Sequence, residues 1–247
     1  MTIPHKENAL KYVRANQGFI EPLAEKIGAV NTMVITKDWK LKAYNTDYTA
    51  ALDSITSGLG ITRGGLKEMP VAVVGAGGVA RAIVAGLSDS GAKIKIYNRT
   101  VEKAQKLAAE FNCEFAPLDD LPNLNAKLVI NCTSIGMKKT EDGKQETGDR
   151  IQNTEHRKQK TEDQRPKTSH ETPVPEEYLK KDMVVFDTVY NPAQTLLLKE
   201  AKQAGAETID GLSMFVNQAA AQFKLFTGQD ANPELMRETI SNCLSHK

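Results

Sequence analysis

The run Val71-Ala72-Val73-Val74 passes straight into Gly75-Ala76-Gly77-Gly78-Val79-Ala80-Arg81. A short β-branched stretch, a glycine-rich turn and a helix-forming segment in that order leave few folds open. Glycine lets backbone N–H groups approach bound oxygens, and the N-terminus of the next helix faces their negative charge, so the turn suits a phosphate pair. The pattern is Gly-x-Gly-x-x-Ala, with Ala80 in the third small position. A glycine match alone is weak. Here a strand precedes it, a helix follows, and a second apolar strand over 93–97 ends where a dinucleotide-binding unit needs it.

The residues after that second strand select the cofactor. A site for NAD places an Asp or Glu about 20 residues past the glycines, where it accepts from the ribose 2′-hydroxyl. This chain has Asn98-Arg99-Thr100 instead. A carboxylate would repel a 2′-phosphate, whereas the planar fork of Arg99 pairs with it, and Asn98 and Thr100 add neutral donors. The motif therefore predicts NADP. The plainer alternative is an exposed Arg opening a helix that also carries Glu102 and Lys103.

From Val71 onward, strand and helix alternate. Strands are expected over 71–74, 93–97, 128–131 and 184–187, and helices over 79–89 and 101–111. Alternation of this kind predicts an α/β fold, a parallel sheet with helices on both faces. Before it, helices are expected over 7–15, 22–26 and 49–59 and strands over 29–35 and 41–44, with 58–68 as a linker. After it come helices over 195–204, 212–227 and 233–244, with Gly205 and Gly228 placed as C-terminal glycines.

Composition removes several classes. The formal charge of the 247 residues is +1, so no global field favours nucleic acid or a membrane surface. No apolar run approaches the roughly 20 residues of a membrane span, and the start of the chain has no signal-peptide core. A cytoplasmic location follows as the expectation. Cys113, Cys132 and Cys243 lie far apart, with neither metal-ligand spacing nor a disulfide framework, so no metal is predicted. The stretch 138–170 is almost wholly charged and polar, of mixed sign, and is expected to be a disordered or loosely held surface insertion.

Polar residues also collect near the ends of expected strands, where ligands gather in open α/β sheets. Lys6, Asn31, Asp47, Tyr190 and Gln218 are such residues. Oxidation of a carbinol needs a group to take the hydroxyl proton, and a Lys beside an Asp can do so. Lys6 and Asp47 form the candidate pair. Taken singly, each has a plainer alternative: a solvated Lys near a terminus, and an Asp capping a helix.

Seven motifs in order carry a family resemblance. They are Thr2-Ile3-Pro4-His5-Lys6-Glu7, Gly28-Ala29-Val30-Asn31-Thr32, Asn45-Thr46-Asp47, Asn98-Arg99-Thr100, Asn131-Cys132-Thr133-Ser134-Ile135-Gly136-Met137, Asp187-Thr188-Val189-Tyr190-Asn191-Pro192, and Asp210-Gly211-Leu212-Ser213-Met214-Phe215-Val216-Asn217-Gln218. Together they resemble shikimate dehydrogenases, and are similar to the dehydrogenase half of bifunctional dehydroquinate dehydratase–shikimate dehydrogenases. The resemblance implies NADP-dependent, reversible reduction of 3-dehydroshikimate to shikimate, in aromatic amino-acid biosynthesis. It implies Lys6 and Asp47 as the catalytic pair, and Thr2, Asn31, Tyr190 and Gln218 on the substrate. Gly75, Ala76, Gly77, Gly78 and Ala80 would hold the pyrophosphate, and Asn98, Arg99 and Thr100 the adenosine phosphate. Thr133, Ser134, Met137 and Gly211 would flank the nicotinamide. Fusion or association with a dehydratase domain is the implied partner.

The chain departs from the family in two places. The insertion 138–170 is longer than the family's connection. Family members also begin about 60 residues earlier, and lack of that segment would expose a sheet edge and an apolar face. The expected organisation is a partial substrate domain over 1–56, a Rossmann-like NADP-binding domain over 57–209, and C-terminal helices over 210–247 returning to the substrate domain. NADP binding is then expected to survive better than turnover. Two alternatives stay open: a quinate/shikimate dehydrogenase, and an inactive NADP-binding fragment.

Overall fold

The structure is a computed structural model that describes residues 5–138 and 171–245. The N-terminal part runs α1 (Lys6–Ala15), β1 (Phe19–Ile20), α2 (Pro22–Ile27), β2 (Thr32–Ile35), β3 (Leu41–Tyr44) and α3 (Asp47–Leu59). Then come β4 (Pro70–Val74), α4 (Gly78–Asp89), β5 (Lys93–Asn98), α5 (Val101–Phe111), β6 (Glu114–Pro117) and β7 (Leu128–Asn131). After residue 170 follow β8 (Val184–Asp187), α6 (Leu196–Gln203), β9 (Glu207–Ile209), α7 (Gly211–Thr227) and α8 (Pro233–Ser245).

The larger sheet has six strands in the order β6-β5-β4-β7-β8-β9, and every pairing is parallel. Its central strands are buried on both faces, which is why they read as unbroken apolar runs. Alternate residues feed two separate cores. Val71, Val73, Leu128, Ile130, Val184 and Phe186 pack with Ile83, Leu87 and Leu107 of α4 and α5 on one side. Ala72, Val74, Val129 and Val185 pack with Leu197, Leu198 and Ala201 of α6 on the other. The strand order reverses direction between β4 and β7, and the crevice beyond such a switch point is where ligands bind.

The second sheet is small, β1-β3-β2, with β1 parallel and β2 antiparallel to β3. Helix α3 joins the two layers. It packs on α4, where Gly86 lets Leu52 approach closely, and on α7, where Asn217 Nδ2 donates to Ser54 Oγ at 3.3 Å. Arg81 of α4 ties down α2: its Nε donates to Ile27 O at 2.8 Å while its guanidinium pairs with Glu110 of α5.

Three edge strands, β1, β6 and β9, carry no signal in the expected pattern because each is short, and β6 and β9 mix polar with apolar residues. The strand expected over 29–35 starts only at Thr32. Residues 29–31 are drawn into bracing bonds instead: Asn45 Nδ2 donates to Ala29 O at 2.9 Å and Val30 N to Lys6 O at 3.0 Å. Thr195, expected inside a helix, is its N-cap, accepting from Leu198 N. The linker expected over 58–68 contains a short 3-10 turn, Arg63–Leu66. The insertion expected over 138–170 lies outside the described residues apart from Lys138, whose N–H donates to Asn191 O at 2.8 Å.

Candidate active site

Lys6 opens α1 and Asp47 opens α3, 41 positions later in the chain. Lys6 Nζ donates to Asp47 Oδ2 at 2.6 Å, with the side chains 7% and 1% exposed. A solvated lysine and a capping aspartate are both excluded by this geometry. The first N–H groups of α3 are met by Asn45, one residue before the N-cap Thr46: its Oδ1 accepts from Asp47 N at 2.9 Å and Tyr48 N at 3.3 Å. That substitution leaves the Asp47 carboxylate to face Lys6. Thr46, between them, is held by Asn31: its N–H donates to Asn31 Oδ1 and its hydroxyl accepts from Asn31 Nδ2, both at 3.0 Å.

The pair sits in a cleft of about 590 Å³ lined also by Thr133, Ser134, Met137, Tyr190, Gly211 and Gln218. Gly211 starts α7 so close to β8 that a Cβ there would stand 2.6 Å from Val189 O. Helix α7 then presents Met214, Phe215, Gln218 and Gln222 to the cleft along one face. The Tyr190 ring stacks on Phe215, centroids 4.0 Å apart. Asn31 is buried, with its amide engaged to Thr46 and Thr32. Thr2 lies outside the described residues.

A smaller space of about 190 Å³ adjoins, sharing Thr133 with the cleft. It is lined by Ala76, Gly77, Asn98, Arg99, Thr100 and Lys103. Gly75 has a φ of +113°, and a Cβ on it would press 3.1 Å from Cys132 C and Thr133 Cγ2, so β4 and β7 can diverge at the switch point only with glycine here. At Gly77 a Cβ would meet nothing within 4 Å, which leaves open room beside the first turn of α4. That room, a helix N-terminus whose N-cap Gly77 makes no side-chain cap bond, and the cations Arg99 and Lys103 on the same space fit a dinucleotide carrying an extra phosphate. Ala80 is fully buried, and its smallness lets α4 pack on the sheet.

Behind both spaces lies a buried polar network. Asp187, at the end of β8, is fully buried, and burial pushes its carboxyl up to about 6 despite bonds from Thr195, Val189 N and Asn131 that favour the charged form. Burial also raises the thiols of Cys132 and of Cys113, the latter to about 11, which suits inert filling rather than nucleophilic chemistry. Among the described residues no group of His, Cys, Asp and Glu could hold a metal ion.

Comparison with known proteins decides the family. Residues 60–159 match the family described as shikimate / quinate 5-dehydrogenase, and 211–240 match the shikimate 5′-dehydrogenase C-terminal domain. The shikimate dehydrogenase (NADP(+)) of Methanosarcina acetivorans is 37% identical over 255 residues, spanning 99% of this chain and 78% of that one. The chain belongs to the shikimate dehydrogenase family.

The bifunctional 3-dehydroquinate dehydratase/shikimate dehydrogenase of Arabidopsis thaliana is also 37% identical, over 97% of this chain and 37% of its own length. A crystal structure of the Thermus thermophilus shikimate 5-dehydrogenase with NADP(H) and shikimate superposes with a TM-score of 0.76 at 31% identity, covering 98% of this chain and 77% of that one. The fold expected of a shikimate dehydrogenase, an α/β chain with a parallel sheet, is the fold observed.

Sequence reasoning missed Lys103, Val79, Met214, Phe215 and Gln222 as lining residues. Phe215, Gln218 and Gln222 follow helical spacing, a signal that was available once Gln218 was singled out. Lys103 stands one turn into α5 beyond Arg99, and could be found the same way.

Proposed function

We infer that this chain catalyses the reversible NADP-dependent reduction of 3-dehydroshikimate to shikimate. The observation that carries the reading is the buried Lys6–Asp47 pair facing a cleft that shares Thr133 with the space at the glycine turn and Arg99. When bound, the nicotinamide cofactor supplies or accepts the hydride.

The rest falls to side chains. Lys6 Nζ gives a proton to the carbonyl oxygen during reduction and recovers it from the hydroxyl in reverse. Asp47 holds that ammonium in place and balances its charge in a site from which water is largely shut out. Tyr190, steadied by Phe215, and Gln218 hold the substrate's hydroxyl and carboxylate groups, and Thr2 is proposed for the same role. Asn31 acts by bracing the turn that bears Asp47. Gly75, Ala76, Gly77 and Gly78 admit the pyrophosphate, Asn98, Arg99 and Thr100 the 2′-phosphate, and Thr133, Ser134, Met137 and Gly211 the nicotinamide end. The organisation into a substrate part over 1–56, a cofactor part over 57–209 and returning helices over 210–247 is the division proposed for these roles.

The matched family includes quinate as well as shikimate enzymes, so quinate is the second substrate to assay. No described helix is long and apolar enough to cross a membrane. A cytoplasmic location, and association with a dehydratase like the one fused in the Arabidopsis relative, complete the proposal. The test is direct: mix the chain with shikimate and NADP+ and follow nicotinamide absorbance. A shikimate-dependent rise is expected, lost in Lys6→Ala with NADP+ binding retained. No rise with either shikimate or quinate overturns the reading.

A further inference from the structure

Two walls of the cleft meet on one buried carboxylate. Asp187 and Asn131 are register partners at the carboxyl ends of the parallel strands β8 and β7. Asn131 Nδ2 donates to Asp187 Oδ1 at 2.9 Å, and Val189 N donates to the same oxygen at 3.0 Å. Thr195 Oγ1 donates to Asp187 Oδ2 at 2.6 Å. On its other side Asn131 Oδ1 accepts from Thr133 N at 2.9 Å and Thr133 Oγ1 at 2.8 Å, and Thr133 Oγ1 accepts in turn from Ile135 N at 3.1 Å. Thr133 lines both the cleft and the adjoining space, and Val189 lines the cleft. None of these bonds reaches solvent at Asp187, and no described cation pairs with it.

A buried carboxylate without a cation is a costly way to join two strands, since burial disfavours its charged form. Simple packing would be served by an apolar residue, as at the neighbouring β8 positions Val184, Val185 and Phe186. What Asp187 supplies is a single acceptor that two donors on different strand-end loops must share. An amide has two orientations, and only the one with Nδ2 toward Asp187 turns Asn131 Oδ1 toward Thr133.

We propose that Asp187 is a positioning residue for the cofactor: through the amide of Asn131 it sets Thr133 and the 133–135 turn against which the nicotinamide end of NADP lies, and through Val189 N it holds the facing wall in step. This rests on the cofactor reading above.

The proposal needs an acceptor at Oδ1, not a charge. In Asp187→Asn the Oδ1 acceptor is kept, and the new amide can donate to Thr195 Oγ1, which has a second lone pair beyond that used by Leu198 N. In Asp187→Ala the acceptor is gone. Thr195→Val removes only the bond at Oδ2 and the α6 cap.

The experiment is NADP+ affinity by titration calorimetry on each purified chain, with thermal midpoints recorded beside it. Asp187→Asn is expected to stay within about threefold of wild type, and Asp187→Ala to weaken NADP+ by about tenfold or more. Thr195→Val should lower the thermal midpoint while leaving affinity within about threefold. Asp187→Ala with unchanged affinity overturns the role. So does Thr195→Val weakening affinity as much as Asp187→Ala, because the effect then follows stability. Asp187→Asn as poor as Asp187→Ala overturns it too, because charge and not the acceptor then matters. If Asp187→Ala does not fold, Asn131→Ser decides, since it leaves Asp187 its Val189 and Thr195 donors and removes the amide that joins Asp187 to Thr133 and to Ile135 O. It should weaken NADP+ by about tenfold, and unchanged affinity overturns the proposal. A wild-type chain that does not bind NADP+ overturns the cofactor reading as well; wild-type binding with indifferent variants overturns only the role of Asp187.

Discussion

Gly78, the first residue of α4, lies against the stem of Lys6: a Cβ on Gly78 would stand 3.1 Å from both Lys6 Cβ and Cδ. The turn proposed for the cofactor's phosphates therefore also forms part of the wall that holds Lys6, the proposed proton carrier. On that reading, chemistry and cofactor binding share one absent methyl group.

Gly78→Ala is expected to move Lys6 by a few tenths of an ångström while improving the helix propensity of α4. Steady-state assays should show kcat lowered about tenfold, equivalent to about 1.4 kcal/mol in the barrier. The thermal midpoint should hold or rise. Unchanged kcat would mean that Lys6 tolerates the push.

Lys6→Met strands a buried Asp47 carboxylate. It should cost about 3–5 kcal/mol of stability, as removal of one partner of a buried pair does. Turnover should fall by about 10²–10⁴-fold. Adding Asp47→Leu should restore much of the stability, measured by urea unfolding, and none of the turnover. Recovered turnover in the double variant would remove the pair from the mechanism.

Arg99→Ala should raise KM for NADP+ by about tenfold or more, the loss of a charge-assisted contact, and change KM for NAD+ little. Lys103→Ala should act in the same direction with smaller size, since both side chains border the same space. Equal losses for the two cofactors would sink the 2′-phosphate assignment.

Asp187 gives stability a pH dependence of defined sign. Its carboxyl is raised by burial from 3.8 to about 6 in the folded chain. Between about pH 4 and pH 6 the folded chain therefore keeps a proton that the unfolded chain has released. Stability from this group is full below the unfolded value and is lost as pH rises through the folded one, by about 3 kcal/mol in total. Asp187→Asn should remove that fall. Urea unfolding at pH 4.5 and pH 7.5 should show the variant gaining on wild type at the higher pH, and a gap that does not change with pH would contradict the shift.

Much of the fold was legible because its central strands are buried on both faces. A strand such as β7 or β8 is then apolar up to its last residue, Asn131 or Asp187, and so announces itself within a residue of its ends. The edge strands β1, β6 and β9 were not legible, since half their surface meets water and their pairing is set by the neighbour already in place. At the site, the glycine turn and Arg99 are legible from local order, because such a turn is made by consecutive residues, and the structure adds that they line one space. The burial of Ala80 and the bonds that Asn31 makes to Thr46 depend on other elements, and no local pattern carries them.

By itself the sequence determined the alternation of strand and helix, the phosphate-binding turn and the preference for an extra phosphate, all of which depend on neighbours within a few residues. Tertiary structure decided what depends on distance in space. It brought Lys6 to Asp47 across 41 residues and Asp187 to Asn131 across 56. It placed Gly78 under the lysine stem. Parallel strands put their carboxyl ends side by side, so groups remote in sequence meet there, and no local pattern encodes which of them will touch.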